Sequence, residues 1–341
     1  MYLPAHGQPV HTRALTITLT EPEPGVLLAS GDVIDLRKCS FAPVPDRLQP
    51  AGIIHHMRIE ARVAEDTREL VSLVTEQPVV AFEAADGAGD CCRDPAPALQ
   101  RLVGERFDAG FRKKLGATFG GPRGCSHLLT LFYLMASAIP RALDLEAVER
   151  ERGGPRRRPE ERIFQRSVFV DGFEQDEGRL QLAVQLSDFH SHALEHAESA
   201  LDRLAEQSEV RLAATVQLQT MTVGEVWIGE RRRSGATASE AEWRDRSDRL
   251  AELEGHGIMA GLGGTVSRLL GQRAEDELLR DAALNLAPGF IQCMAALTDR
   301  WISQAQASSG GIPSFMESGG MTDSCYMWRD GSRLLQLRTR E

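Results

Sequence analysis

The sequence predicts an α+β fold built from two duplicated units, each an antiparallel sheet with helices packed on one face. Three observations favour this prediction. The chain of 341 residues is longer than one ordinary hydrophobic core requires. Segments of its first half align in order with segments of its second half, and in each half strand-like segments precede helix-like ones. Two similar α+β units account for all three observations.

The internal repeat consists of three aligned blocks. An offset of 153 residues aligns the first two blocks, and an offset of 151 residues aligns the third. A self-similar period of this length is typical of a tandem domain and not of a solenoid. The aligned pairs are residues 27–35 with 180–188, 57–63 with 210–216, and 99–104 with 250–255.

Four strands followed by two helices are predicted in the first unit. Apolar and polar residues alternate in the strand segments, as expected for half-buried strands. The turn at residues 21–25 is rich in Glu, Pro and Gly, which favours hairpins over crossovers. The predicted strands are 15–20, 26–35, 53–63 and 69–75, and the predicted helices are 96–102 and 126–142.

A charged segment separates the two units. Residues 149–162 contain no apolar side chain and include glycine and proline, which disfavour helices and strands. We therefore predict a first domain at residues 1–146, a solvated linker at 147–163, and a diverged second copy at 164–341 that ends in a flap and a tail.

Composition excludes several classes of protein. Hydrophobic residues make up 42% and charged residues 26% of the chain, as in globular proteins. The 39 basic and 49 acidic residues give a net charge of −10, which disfavours nucleic acid as a partner. The apolar stretch at residues 128–139 is too short to span a bilayer, so we expect no membrane association.

The cysteines and the N-terminus predict a cytoplasmic protein. Six cysteines are too few for a disulfide scaffold, and Cys91 and Cys92 are adjacent, which is unsuitable for a bridge between them. The first residues lack the basic start and apolar run of a secretion signal.

Three short motifs resemble the bacterial family called domain of unknown function 2889. They are Asp35-Leu36-Arg37-Lys38, the segment from Gly52 to Met57, and the segment from Gly121 to Leu128. The family pattern is roughly D-x-K, I-H-D-M and G-C-T-H-L, so His55 and His127 match it, whereas His56 stands where an aspartate is usual. The resemblance covers residues 10–143, with a further match at 323–328.

The resemblance and the strand pattern together predict a site in the first unit. On a strand, His55 shares the apolar parity of Met57, so it faces the core while His56 faces outward. We predict that His127, His55, Asp35 and Lys38 carry acid–base catalysis. Asp35, His55 and His127 are alternatively metal ligands, and each histidine alone could serve only the fold.

Five further residues are predicted to bind substrate: Arg123, Cys125, Tyr133, His190 and Phe315. The glycine-rich loop before Cys125 leads into a helix whose free N–H groups would favour an anion, and Arg123 adds a positive charge. Cys125 could act as a nucleophile or simply fill a close-packed position. Phe315 lies in a glycine-rich segment that could form either a mobile flap or a surface loop.

The second copy provides a comparison. The residues that align with His55 and His127 are Ser208 and Leu278. This difference argues for a site in the first copy and a scaffold in the second, although random sequence drift in the second copy would produce the same difference. In the second copy, His190 follows Asp188 at a predicted strand end, and it is the histidine of this copy that we assign to substrate binding.

The resemblance implies a small-molecule enzyme, with a histidine acid–base C–C lyase that releases formaldehyde from lignin-derived phenolic compounds as the best interpretation. A metal-dependent hydrolase and a non-catalytic small-ligand-binding protein are the alternatives. No nucleotide loop, Cys-x-x-Cys pair or Gly-x-Ser-x-Gly elbow is present. We therefore predict no organic cofactor and a small aromatic substrate as the partner. The sequence leaves open whether the protein binds a metal ion and whether it forms a homodimer.

Overall fold

A computed structural model describes residues 5–44, 47–84, 90–154, 157–196, 202–234, 241–259, 261–271, 273–307 and 321–338. Among these residues the fold is α+β, with a large antiparallel sheet as predicted. The strands are β1 (Gln8–Glu23), β2 (Val26–Arg37), β3 (Phe41–Val44), β4 (Arg47–Gln49), β5 (Gly52–Ala64), β6 (Leu70–Val79), β7 (Arg162–Gln175), β8 (Arg179–Ser191), β9 (Leu204–Gln217), β10 (Thr222–Arg233) and β11 (Arg244–Asp245).

Nine of these strands form one continuous sheet in the order β11-β10-β9-β8-β7-β1-β2-β5-β6, while β3 and β4 form a separate hairpin. The strands of the two halves meet where β1 pairs antiparallel with β7, with Leu15 opposite Val168. Sequence alone did not predict this junction, because it joins strands about 150 residues apart. On the other side of β1, the register of β2 and β5 sets Asp35 opposite His55.

Helices pack against the sheet. They are α1 (Phe111–Phe119), α2 (Ser126–Glu151), α3 (Leu262–Leu270), α4 (Glu277–Ala283), α5 (Leu286–Ala307) and α6 (Arg333–Arg338). Short 3₁₀ helices cover Gly121–Arg123, Ala96–Leu102, Ser247–Leu253 and Tyr326–Trp328. Helix α2 lies on β1, β2 and β5, and α5 lies on β1, β7 and β8. The alternate residues of β1 that face the helices, Leu15, Ile17 and Leu19, are buried.

Helix α2 is longer than predicted. The prediction ended it near residue 142, two residues beyond Pro140. A proline inside a helix removes one backbone hydrogen bond. In the structure Pro140 lies inside the helix, which continues to Glu151. Ala142, Leu143 and Glu146 beyond the proline are buried, so tertiary packing offsets the lost hydrogen bond. At 26 residues α2 is long and apolar enough to cross a membrane, yet 61% of its most apolar window is buried in the protein, as in a core helix.

Candidate functional site

The predicted catalytic residues meet where the ends of β2 and β5 approach the start of α2. Asp35 lies near the end of β2, His55 lies opposite it on β5, and His127 occupies the first turn of α2. All three side chains are buried. As the strand alternation predicts, His55 faces the core, whereas His56 faces outward, where its Nε2 lies 2.9 Å from Asp32 Oδ1.

The carboxylate of Asp35 is surrounded by imidazole groups. His127 Nε2 lies 3.1 Å and His55 Nδ1 3.7 Å from Asp35 Oδ2. The other oxygen, Oδ1, is hydrogen-bonded to His11 Nε2 at 2.9 Å, and Arg13 Nε lies 3.9 Å from it. The rings of His55 and His127 are 3.8 Å apart between centroids. One buried carboxylate therefore contacts three histidines and an arginine.

Burial and charge set opposite ionisation states in this cluster. Burial alone would raise the pKa of Asp35, but Arg13, His127 and His11 together hold that pKa well below its usual value. Burial and the neighbouring His127 lower the pKa of His55 well below its usual value, against the opposing effect of Asp35. Burial likewise lowers the pKa of His127, although Asp35 raises it in part. At neutral pH the cluster holds an ionised carboxylate beside two neutral imidazoles.

A largely apolar pocket opens beside the cluster, and both halves of the chain line it. His55, His127 and Arg37 line its polar side, and Phe82 and Trp328 belong to its apolar wall. Helix α5 of the second half contributes Gln292, Met294 and Thr298. Gln292 Nε2 lies 3.2 Å from His127 Nε2, so a residue of the second half directly contacts the predicted catalytic group.

Cys125, which was predicted to bind substrate, lines the pocket, and its Sγ lies 3.7 Å from His127 Nδ1. Burial raises the pKa of the Cys125 thiol to about 12. The thiol is therefore protonated at neutral pH, which favours a packing role over a nucleophilic one.

Lys38 and Arg123 lie outside the pocket lining, contrary to the prediction. Both side chains are exposed, and Arg123 donates to the carbonyl of Gly116 at 3.1 Å. Strand parity explains why Lys38 lies outside the pocket lining. Arg37 shares the parity of Asp35 at the end of β2 and lines the pocket, whereas Lys38 does not share it.

Two other predicted substrate-binding residues do not join this site. Tyr133 lines a separate small cavity beside Asp281 and Asn285, and the Arg112 guanidinium lies 4.7 Å from its ring centroid. His190 is buried against Glu146, with 2.7 Å between His190 Nε2 and Glu146 Oε1. Phe315 lies outside the described residues.

The segment predicted as a solvated linker also contains a buried side chain. Arg157 is almost completely buried, and it donates to both carboxylate oxygens of Glu146 and to the carbonyl of Ser191. The linker composition obscured this arrangement because the partners of Arg157 lie on α2 and β8. Arg157, Glu146 and His190 therefore form a structural ion-pair cluster separate from the pocket.

His11, Arg13, Arg37, Gln49 and Gln292 were missed by the sequence prediction. A signal existed for two of them: His11 and Arg13 share the parity of Leu15, Ile17 and Leu19, so polar side chains occupy core positions of β1. Arg37 has the corresponding signal on β2. No periodic pattern relates Gln49 or Gln292 to the cluster.

The match to known protein families coincides with this geometry. Residues 11–140 match the family model described as Protein of unknown function (DUF2889). Residues 11–140 are therefore similar to that family, and we call them the DUF2889 segment. The DUF2889 segment includes His11, Asp35, His55 and His127, whereas Gln292 and the lining residues 321–328 lie beyond it. Comparison with curated proteins and with solved structures finds no match.

The cluster also has the composition of a metal site. One ligand atom from each of Asp35, His55 and His127 lies within 4.8 Å of the other two. A carboxylate with two neutral imidazoles is a set that zinc or ferrous iron accepts. The DUF2889 segment thus holds a cluster whose chemistry suits either proton transfer or metal binding.

Proposed function

We propose that this protein is a cytoplasmic small-molecule enzyme, a histidine acid–base C–C lyase that releases formaldehyde from lignin-derived phenolic compounds. One observation carries the proposal: the neutral imidazole of His127 lies beside the ionised carboxylate of Asp35 at the wall of an apolar pocket. A neutral imidazole can accept a proton, and an adjacent carboxylate stabilises the imidazolium that forms. The apolar lining suits an aromatic substrate.

The proposed reaction needs no oxidant. His127 takes the proton of a primary alcohol in the substrate side chain, and the carbon–oxygen bond of that alcohol becomes the carbonyl of formaldehyde. Before this step the phenolic substrate loses a benzylic hydroxyl as water, which forms a quinone methide. The adjacent carbon–carbon bond then breaks, and its electron pair moves into the quinone methide, whose ring becomes a phenolate. The imidazolium then returns its proton to the product. His55 is the second imidazole that could exchange this proton, because its ring lies next to that of His127.

The test is a comparison of His127→Gln with His56→Gln. Formaldehyde release from phenolic compounds with a hydroxymethyl side chain is expected to fall by about 10²–10⁴-fold in His127→Gln with little change in ligand affinity, because acid–base groups act mainly in the transition state. His56 faces away from the pocket, so His56→Gln should leave the rate unchanged. Tight binding of a phenolic compound without turnover by the wild type would leave the ligand-binding alternative and remove the lyase.

A metal-dependent enzyme, with a hydrolase as the simplest case, is the second candidate. The observation in its favour is that, among the described residues, His55 Nδ1 is buried without a hydrogen-bond partner, 3.7 Å from Asp35 Oδ2. Buried polar atoms are normally satisfied, and a cation between these two atoms would satisfy His55 Nδ1. Such a metal would activate water or an alcohol oxygen in place of the free imidazole.

Elemental analysis separates these two candidates. The metal-dependent alternative predicts about one transition-metal ion per chain in the purified protein, and loss of that metal in His55→Ala but not in His56→Ala. It also predicts that a chelator abolishes activity and that added metal restores it. Full activity in a metal-free protein would exclude the metal and leave the acid–base mechanism.

We also propose that the two halves are copies of one unit. The support is the repeated order of four strands, a 3₁₀ helix and α-helices: β2 and β8 begin at Val26 and Arg179, an offset of 153, and α1 and α3 begin at Phe111 and Leu262, an offset of 151. These are the offsets of the aligned sequence blocks. On this proposal the first copy keeps the histidines, and the second supplies α5 to the pocket.

A further inference from the structure

The C-terminal wall, defined here as residues 321–328, closes one side of the pocket. Met321 and residues 324–328 line the cavity, and all of them lie beyond the DUF2889 segment. The backbone N–H of Tyr326 donates to the carbonyl of Gly124 at 2.9 Å, immediately before the start of α2. The N–H of Asp323 donates to the carbonyl of Trp328 at 2.8 Å, which closes the wall into a compact turn.

Arg329 connects this wall to the first half of the chain. Arg329 donates to Asp90 Oδ2 at 2.9 Å and to the carbonyl of Tyr326 at 2.7 Å. Its guanidinium carbon also lies 3.8 Å from the centroid of the Tyr326 ring, a cation–π contact. The C-terminal part of the wall is therefore held at two points, by Gly124 through Tyr326 and by Asp90 through Arg329.

The wall presents an aromatic corner to the pocket. Trp328 and Phe82 meet edge to face, with ring centroids 6.2 Å apart and planes at 87°. Both side chains line the cavity, together with the sulfur-bearing residues Met294 and Met327. Aromatic rings favour offset and edge-to-face contacts with one another, and thioether sulfur also contacts ring edges favourably.

We infer that Trp328 is a specificity-determining residue that selects an aromatic ring in the ligand. The ring packs in the corner made by Trp328 and Phe82, while the reacting group of the ligand points toward His127 on the polar side of the same pocket. The position of the reacting group near His127 rests on the proposed function. The preference for an aromatic ring does not rest on it, because this preference is a property of binding and is measured without turnover.

The experiment compares phenol with cyclohexanol, which have similar size and one hydroxyl each but differ in aromaticity. Dissociation constants for both are measured by ligand-observed NMR on the full chain. The wild type is expected to prefer phenol, and Trp328→Leu is expected to reduce that preference by about 3- to 10-fold. Trp328→Phe keeps an aromatic ring and should retain the preference. Trp243→Leu is the matched control, since Trp243 packs between Arg211 and Arg231 and does not line the pocket.

A second variant guards against misfolding of Trp328→Leu. Phe82→Leu removes the other side of the corner and should also lower the preference for phenol, and thermal unfolding checks that each variant is folded. The inference is overturned if the wild type shows no preference for phenol, or if folded Trp328→Leu and Phe82→Leu keep the wild-type preference. A wild-type protein that releases formaldehyde but shows no preference for phenol removes this inference alone. A normal ring preference without any turnover removes the lyase alone.

Discussion

At the scale of single residues, the side chain that organises the site is Asp35. Its Oδ1 faces His11 and Arg13, and its Oδ2 faces His55 and His127. The first two contacts keep the carboxylate ionised in a buried place, and the ionised carboxylate in turn limits how far burial lowers the pKa of His127. Asp35 therefore acts on the predicted base through its charge.

This charge predicts a pH dependence. His127 must be neutral to accept a proton, so activity should fall as pH drops through its pKa, which lies below the usual 6.5. Asp35 raises that pKa, so Asp35→Asn should lower it further and move the acid limb of the kcat/KM profile to lower pH. The rate on the plateau should also fall, because the imidazolium loses its carboxylate partner.

The matched control is Asp32→Asn on the outer face of the same strand, where Asp32 contacts His56 and Arg58. Its acid limb should stay at the wild-type position. An acid limb that stays in place or moves to higher pH in Asp35→Asn would show that the titrating group is not an imidazole beside this carboxylate.

At the scale of secondary-structure elements, strand parity was the most informative feature of the sequence. The alternation of β5 correctly predicts that His55 faces inward and His56 outward, and applied to β2 it also distinguishes Arg37 from Lys38. The helical segment at 96–102 and the start of α2 near residue 126 were likewise predicted. These features depend on neighbours in the chain, which local periodicity reports.

Contacts made by α5 could not be predicted in this way. Two glycines allow this helix to approach the sheet: a Cβ on Gly172 of β7 would lie 2.1 Å from Cys293 Sγ, and a Cβ on Gly289 would lie 2.5 Å from Val170 Cγ1. The close approach brings Gln292 to His127, although the two are 165 residues apart in the chain. No local pattern reports such a distant pair, because the approach depends on how the two halves join.

At the scale of the whole molecule, a buried ionic network connects the sheet with the helices of both halves. Arg166 on β7 donates two hydrogen bonds to the carboxylate of Asp188 on β8, at 2.7 and 2.8 Å. It also donates to Asp281 on α4 at 2.8 Å and to Ser137 on α2 at 2.6 Å. Arg112 on α1 donates to the same Asp281 at 2.7 Å. The network holds α1 and α2 of the first half to the strands and the α4 helix of the second.

The positions that the 153-residue offset aligns make different contacts in the two halves. With the offset of 153, Arg166 and Asp188 correspond to Arg13 and Asp35. In the second half the arginine and aspartate form a bidentate pair that satisfies both carboxylate oxygens, whereas Arg13 stays 3.9 Å from Asp35 and histidines take the nearer positions. The same pair of charges thus stabilises the fold in one half and lies within the candidate site in the other.

The network predicts a large loss of stability in Arg166→Met. Methionine has a similar length and no charge, so this variant leaves the carboxylate of Asp188, which is buried, without its bidentate partner and also takes the guanidinium from Asp281. Removing one partner of a buried ion pair costs about 3–5 kcal/mol. Arg141 Nε, 3.0 Å from Asp188 Oδ2, and Arg112 on Asp281 remain and compensate part of the charge, so we expect a loss near the lower end of this range. Arg62→Met, which removes an exposed partner of Glu23, should cost less than about 1 kcal/mol. Urea unfolding of both variants measures the difference, and an Arg166→Met protein as stable as Arg62→Met would show that this network does not hold the two halves together.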